Sequence, residues 1–372
     1  MITETSMTKR LNKLKKEGVK KYINDEFNFN FDLLTDNNII IYGCTNSIAK
    51  EFINIQNIFN IVAIFDDSFE KKSYKNIPVK KTSEIIEYKD YIAINLTFSF
   101  NAYRFFNKLS LKNNIRMFNY FEISQYFNIQ SEYPYFNNIL EETVNNYEQI
   151  IDLLNNLNDN LSKKIVMQHL IFRLTFDATA FLAINDNFDE QYFDIEIDDK
   201  NEIFVDGGCF DGQTTEFLLN KCTNIKKIYC FEPDFNNYKC IIDKFYYNDN
   251  LFVHNLGLWD QKTQKYFLST SNEVSRIVDK SDIKIDLDTI DRIASDATFI
   301  KLDIEGSEMQ ALAGAKKTIK KNLPKLAISI YHKPNDLFEI VNQINSYTNN
   351  YKFYIRHYSD YMFDTILYGI PK

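Results

Sequence analysis

Cysteine, proline, glycine and tryptophan are scarce in this chain of 372 residues, at 5, 6, 9 and 1. The cysteines (Cys44, Cys209, Cys222, Cys230 and Cys240) are unevenly spaced and form no C-x-x-C pair, which argues against a disulfide framework or a cysteine-built zinc site. Low proline and glycine beside heavy use of Asn, Ile, Lys, Tyr and Phe is the bias of an AT-rich, bacterial coding source, not of a special structural material. No run approaches the roughly 18 apolar residues that span a bilayer. The basic opening MITETSMTKRLNKLKK has no apolar stretch of signal-peptide type and reads as a solvated helix face. The net charge of −8 leaves no general footprint for nucleic acid. The expectation is a cytoplasmic protein with no transmembrane segment.

What is present is periodic. Residues 1–30 read as an N-terminal helical segment. From Asn38, the strand Ile39-Ile40-Ile41-Tyr42 turns through Gly43-Cys44-Thr45-Asn46-Ser47 into a helix. Strands follow at 61–65, ending in Asp66-Asp67, and at 91–96. This alternation predicts a small Rossmann-like parallel α/β domain over 31–123. Its first turn holds one glycine, so the dinucleotide fingerprint G-x-G-x-x-G is absent. Asp66 stands where a ribose-binding acid would, but a scaffold or partner-binding role outranks a nucleotide. Apolar residues at helical spacing (Leu140, Val144, Tyr147, Ile151, then Leu161 and Ile165) predict a helical connector over 124–200. A second α/β domain is expected over 201–372. Its strand candidates are 203–206, 227–232, 251–255, 298–303, 326–331, 351–357 and 364–370. Helical stretches separate the first five, and the last two form an antiparallel pair.

The segment FVDGGCFDGQTT, Phe204 to Thr215, carries the main chemical signal. A buried strand runs into a glycine turn and then a helix, the place where open α/β sheets bind ligands. Gly207 and Gly208 permit a sharp turn and close approach, and Thr214 lies at the helix start, whose free N–H groups favour an anion. Two carboxylates, Asp206 and Asp211, would repel a pyrophosphate. They suit S-adenosylmethionine, with its ammonium and sulfonium, and make an NAD-linked oxidoreductase the weaker reading. The next strand ends in Glu232-Pro233-Asp234. Glu232 is the expected partner of the ribose hydroxyls, Pro233 sets the turn, and Asp234 caps the following helix. The third strand's loop, with Gly257 and Leu258, is expected to cover the adenine.

These motifs in order, FVDGGCFDGQTT, CFEPD, FIKLDIEGSEMQALAGA and ISIYHKPNDL, resemble the FkbM family of methyltransferases over about residues 190–372. The resemblance implies a seven-stranded, class I (Rossmann-like) methyltransferase sheet and S-adenosyl-L-methionine as donor. It also implies O-methylation of a saccharide or natural-product hydroxyl. The N-terminal α/β domain lies outside it.

Methyl transfer needs an aligned nucleophile and a destination for its proton. Strand-end position makes Asp303 a catalytic and cofactor-side candidate, with Glu305 just beyond as a substrate or metal contact. His332, ending the fifth strand, is the candidate base, or a metal ligand together with Asp303. A divalent metal is left open. Ser275 and Arg276, in a stretch similar to the family's polar loop, Lys333 beside the histidine, and Arg356 at the end of the sixth strand are acceptor-binding candidates; the arginines suit a phosphate or carboxylate. The expected acceptor is a sugar or glycopeptide, methylated in surface-polysaccharide or glycoprotein modification, flagellin for example. N-methylation of an amino sugar or glycan-linked amino acid is the alternative. A non-catalytic scaffold is the alternative of another class. A homo-oligomer, or a biosynthetic-complex partner on the N-terminal domain, completes the expectations.

Overall fold

The computed structural model describes residues 4–54, 58–131, 133–184, 190–222, 224–269 and 275–372. The chain divides into two compact units. One comprises Met1–Tyr147, Met167–Ala183 and Asp360–Met362; the other comprises Glu148–Val166, Ile184–Ser359 and Phe363–Lys372.

The first unit opens with helices Glu4–Glu17 and Val19–Glu26. Its sheet has six strands: β1 (Asn38–Tyr42), β2 (Asn60–Phe65), β3 (Ser73–Tyr74), β4 (Ile77–Lys80), β5 (Ile92–Asn95) and β6 (Arg116–Asn119), in the order β3-β4-β2-β1-β5-β6. β1 pairs in parallel with β2 and β5, so its run of isoleucines is buried, as a central parallel strand requires. Asp66 accepts the Cys44 N–H at 3.0 Å and the Ser68 N–H and hydroxyl at 3.0 and 2.6 Å. Its carboxylate is therefore occupied in holding the turn.

The second unit is built on β7 (Ile203–Gly207), β8 (Lys227–Phe231), β9 (Leu251–His254), β10 (Gly257–Leu258), β11 (Thr263–Leu268), β12 (Arg276–Val278), β13 (Ile283–Asp288), β14 (Phe299–Leu302), β15 (Lys325–Ser329), β16 (Tyr351–His357) and β17 (Thr365–Pro371). Seven of them form one sheet in the order β16-β17-β15-β14-β7-β8-β9. β17 runs antiparallel to both β15 and β16, and the other pairings are parallel. This is the class I methyltransferase arrangement, and all seven strand candidates lie in it. The β7 run Ile203–Gly207 is buried throughout, which places its carboxyl end at the centre of the sheet's mouth.

Two elements differ from expectation. The segment between β9 and β14 is not helical. It folds as a four-stranded sheet, β10-β13-β11-β12, with one short helix, Ile290–Ile293. Burial alternates along Thr263–Leu268, a period of two that marks strand rather than helix. The helical stretch of 124–200 is shared between the units. Its middle part, 148–166, caps the outer edge of β16: Asn158 Oδ1 accepts the Phe353 N–H at 2.9 Å, and Ser162 Oγ accepts the Ile355 N–H at 2.8 Å. An edge strand's unpaired groups are thereby satisfied.

Candidate active site

The glycine turn after β7 is held by unusual backbone. Gly208 and Gly212 have φ of 77° and 83°, and Phe210 has 51°. Gly208 packs so closely on the Asp303 carbonyl that a Cβ there would collide with it. Only glycine meets both demands. Gly212 precedes the helix Gln213–Lys221, whose first turn holds Thr214.

Asp206 does not face a ligand as its charge suggests. It is fully buried. Its Oδ1 pairs with Lys301 Nζ at 3.0 Å, and its Oδ2 accepts the Thr215 hydroxyl at 2.7 Å. Lys301 also donates to the Gly208 carbonyl at 2.8 Å. Burial opposes the charge on this amine, but Asp206 and Asp303 outweigh it and raise its pKa. The aspartate thus neutralises a lysine beneath the turn. Lys301 is a residue that sequence reasoning missed, because a lysine inside a strand reads as solvent-facing. Asp211 remains at the surface of the turn, where it accepts the Gln213 N–H at 3.1 Å.

Glu232, just past β8, takes the Phe210 N–H at 2.8 Å on one oxygen and the Asp234 N–H at 2.9 Å on the other. Each oxygen keeps a lone pair for a further donor. Burial pushes its carboxyl up to about 7. Asp234 caps the helix Phe235–Lys244 through the N–H groups of Asn236 and Asn237, as expected.

A cleft of about 320 Å³ opens beside these groups. Gly208, Asp211, Thr214, Glu232, Pro233, Gly257, Leu258, Ser275, Arg276, Asp303 and Glu305 of the expected set all line it. So do Tyr192, Tyr331 and Lys301, which were not expected. Its apolar wall is made by Leu258, Phe267, Ile277 and Ile285, so the small second sheet supplies much of the lining. Of the polar loop expected before β14, residues 270–274 lie outside the described residues. Gly207 lies behind the cleft, where its carbonyl accepts the Asp303 N–H at 3.0 Å.

Asp303 is the most constrained group in the cleft. The Tyr192 hydroxyl donates to its Oδ2 at 2.6 Å and the Tyr331 hydroxyl to its Oδ1 at 3.3 Å. Burial favours the neutral acid, but His332, Lys301 and the Tyr192 hydroxyl outweigh it and hold Asp303 below the ordinary value. Glu305, in the left-handed region at φ 54°, is pushed up to about 8, chiefly by burial and by Asp303 and Glu308.

Five of the expected residues are not among those lining the cleft: Asp206 and Gly207, described above, and His332, Lys333 and Arg356. The His332 imidazole is buried behind Asp303 and Glu305. Its Nε2 is 3.4 Å from Asp303 and 3.6 Å from Glu305, and its Nδ1 is 3.0 Å from Glu308. Burial disfavours its charge, yet Glu308, Glu305 and Asp303 raise it to about 10. A protonated ring has no lone pair, so an imidazole held in this state is better placed to orient the carboxylates in front of it than to take a proton. Lys333 Nζ donates to the Gly306 carbonyl. Arg356 binds Asp159 at 2.8 Å and Asp194 at 2.9 Å, fixing 159–162 and 194 to β16. Its guanidinium is committed to those partners.

Fold and site together define a class I methyltransferase. Residues 206–355 match the family model for the methyltransferase FkbM domain. The second unit thus carries a methyltransferase FkbM domain, and the chain is an S-adenosylmethionine-dependent methyltransferase. A crystal structure of methyltransferase FkbM from Methylobacillus flagellatus KT is similar with a TM-score of 0.82 at 23% identity, covering 98% of each chain. That likeness of fold includes the N-terminal α/β unit, which the sequence motifs leave outside the resemblance. A methyltransferase from Geobacter sulfurreducens is 13% identical with a TM-score of 0.32, over 60% of this chain and 96% of its own. No curated protein sequence matches the chain.

Proposed function

We propose that the cleft binds S-adenosylmethionine and that the methyl group is delivered to a hydroxyl of a sugar or glycan beside Asp303. The donor set fits this cofactor. Glu232 offers an oxygen lone pair to each ribose hydroxyl, the apolar wall of Leu258, Phe267, Ile277 and Ile285 suits adenine, and Asp211, Asp303 and Glu305 suit a ligand with positive groups. When bound, the cofactor supplies an electrophilic methyl carbon and its own leaving group.

The observation that carries the reading is the pinned carboxylate of Asp303 at the cleft end of β14, ionised and fixed by two tyrosine hydroxyls. An anion held in one orientation can align an acceptor hydroxyl and direct its proton. Tyr192 and Tyr331 position that carboxylate, and His332 orients the carboxylates in front of it. Gln191, Arg276 and Asp364 add polar groups to the same cleft, as a polyhydroxylated acceptor requires.

Transfer of labelled methyl from S-adenosylmethionine to glycans and glycopeptides of the source, read by mass analysis, tests the proposal. Label on a sugar oxygen is the expected result. Label on nitrogen would overturn the acceptor assignment, and failure of calorimetry to detect cofactor binding would overturn the whole reading.

A further inference from the structure

We propose that Asp303, Glu305 and His332 bind one divalent metal ion at the inner end of the cleft, with Glu308 behind the imidazole. The His332 side chain is 8% exposed; its Nδ1 faces Glu308 at 3.0 Å, whereas Nε2 makes no hydrogen bond among the described residues. A buried nitrogen without a hydrogen bond is costly, and it calls for a ligand. Nε2 is aimed at Asp303 Oδ1, 3.4 Å away, and at Glu305 Oε2, 3.6 Å away. These are long for hydrogen bonds. They are close to the spacing of two donor atoms on one ion, roughly 3.0–3.5 Å for bonds of about 2.1 Å.

The local chain places both acids on the Nε2 side of the ring. Asp303 ends β14, and the turn Ile304–Gly306 has Glu305 and Gly306 at positive φ. Both acids line the cleft, so an ion between them keeps open positions toward it. One donor atom each of Asp303, Glu308 and His332 lie within 4.8 Å of one another. Glu308 Oε1 is occupied by the Ile304 N–H at 2.9 Å and faces Nδ1 at 3.0 Å, the place of the carboxylate that orients a metal-bound imidazole. The cluster of Asp206, Cys209 and Cys230 also has ligand atoms in range, but Lys301 and Thr215 already occupy its aspartate.

One imidazole with carboxylate oxygens and no thiolate selects an ion that accepts mixed nitrogen and oxygen donors, such as Mn²⁺. The carboxylates that retain a proton on the imidazole attract a doubly charged ion more strongly, and binding displaces that proton. A cation here would coordinate an acceptor hydroxyl and make it more acidic. Metal binding rests on the cluster's own geometry and does not depend on which acceptor is methylated.

The test uses the full chain stripped of metal and titrated with MnCl₂, with free Mn²⁺ followed by electron paramagnetic resonance. One ion per chain is expected, with pulsed-resonance modulation from one histidine nitrogen. His332→Asn should abolish the modulation and weaken binding at least about 10-fold, and Glu305→Gln should weaken it comparably. Circular dichroism and the cooperativity of thermal unfolding report whether each variant is folded. If His332→Asn does not fold, the nitrogen modulation of the unmodified protein and the Glu305→Gln affinity decide. No retention of Mn²⁺ at about 1 mM, or binding indifferent to the substitutions, would overturn the site. Mn²⁺ binding without methyl transfer would count against the proposed function alone, and methyl transfer without Mn²⁺ binding against the metal alone.

Discussion

Lys301 Nζ stands 3.0 Å from Asp206 Oδ1, both side chains almost wholly buried, on the directly paired positions of β14 and β7. Removing one partner of such a pair leaves an uncompensated charge in the core. Lys301→Met should cost about 3–5 kcal/mol in chemical denaturation. Combining it with Asp206→Asn should recover much of that loss. Equal stability of the single and double variants would show that the pair is not coupled.

Tyr192 donates to Asp303 and helps to keep it ionised. Tyr192→Phe takes that support away, so the Asp303 pKa rises. The acid limb of the kcat/KM profile should move to higher pH. Cofactor affinity, measured by calorimetry at pH 8, should stay within about 2-fold. An unmoved acid limb would separate Tyr192 from the chemistry.

Glu232 is raised to about 7 by burial. In the free protein a raised acid contributes stability that is full below its unfolded value and lost as pH rises through about 7. Two ribose hydroxyls favour the ionised form. Cofactor affinity should therefore increase from pH 6 to 8, with proton release seen by calorimetry in two buffers. Glu232→Gln should weaken binding roughly 10–100-fold and flatten this dependence.

Gly208→Ala would force an L-residue into φ 77° and drive its Cβ into the Asp303 carbonyl. Backbone cannot yield as a side-chain tip can. A loss of about 3 kcal/mol or more is expected in thermal unfolding, with cofactor binding abolished.

Arg356→Ala breaks the contacts to Asp159 and Asp194 and lies away from the cleft. It should lower stability by about 1–3 kcal/mol and leave acceptor KM unchanged in steady-state kinetics. A large rise in KM would return Arg356 to the acceptor site.

The seven strands of the methyltransferase sheet, the glycine turn and the place of Glu232 at the cleft were all legible in the sequence. A buried parallel strand leaves a continuous apolar run, and a tight turn at its end leaves glycine; both are local requirements. The sheet of β10–β13 was less so, because its alternation is short and interrupted by charged residues.

Residue type and order alone determined which groups reach the mouth of the sheet: Asp211, Glu232, Asp303 and Glu305 end or follow their strands, and all line the cleft. Tertiary structure alone decided what each charge meets. Asp206 was read as a ligand group, but register places Lys301 opposite it. His332 was read as a base, but three carboxylates from the turn and helix after β14 surround it. Tyr192, more than a hundred residues away in the chain, holds Asp303. A side chain's position along a strand follows from local periodicity, whereas its electrostatic environment is a sum over neighbours that only folding brings together.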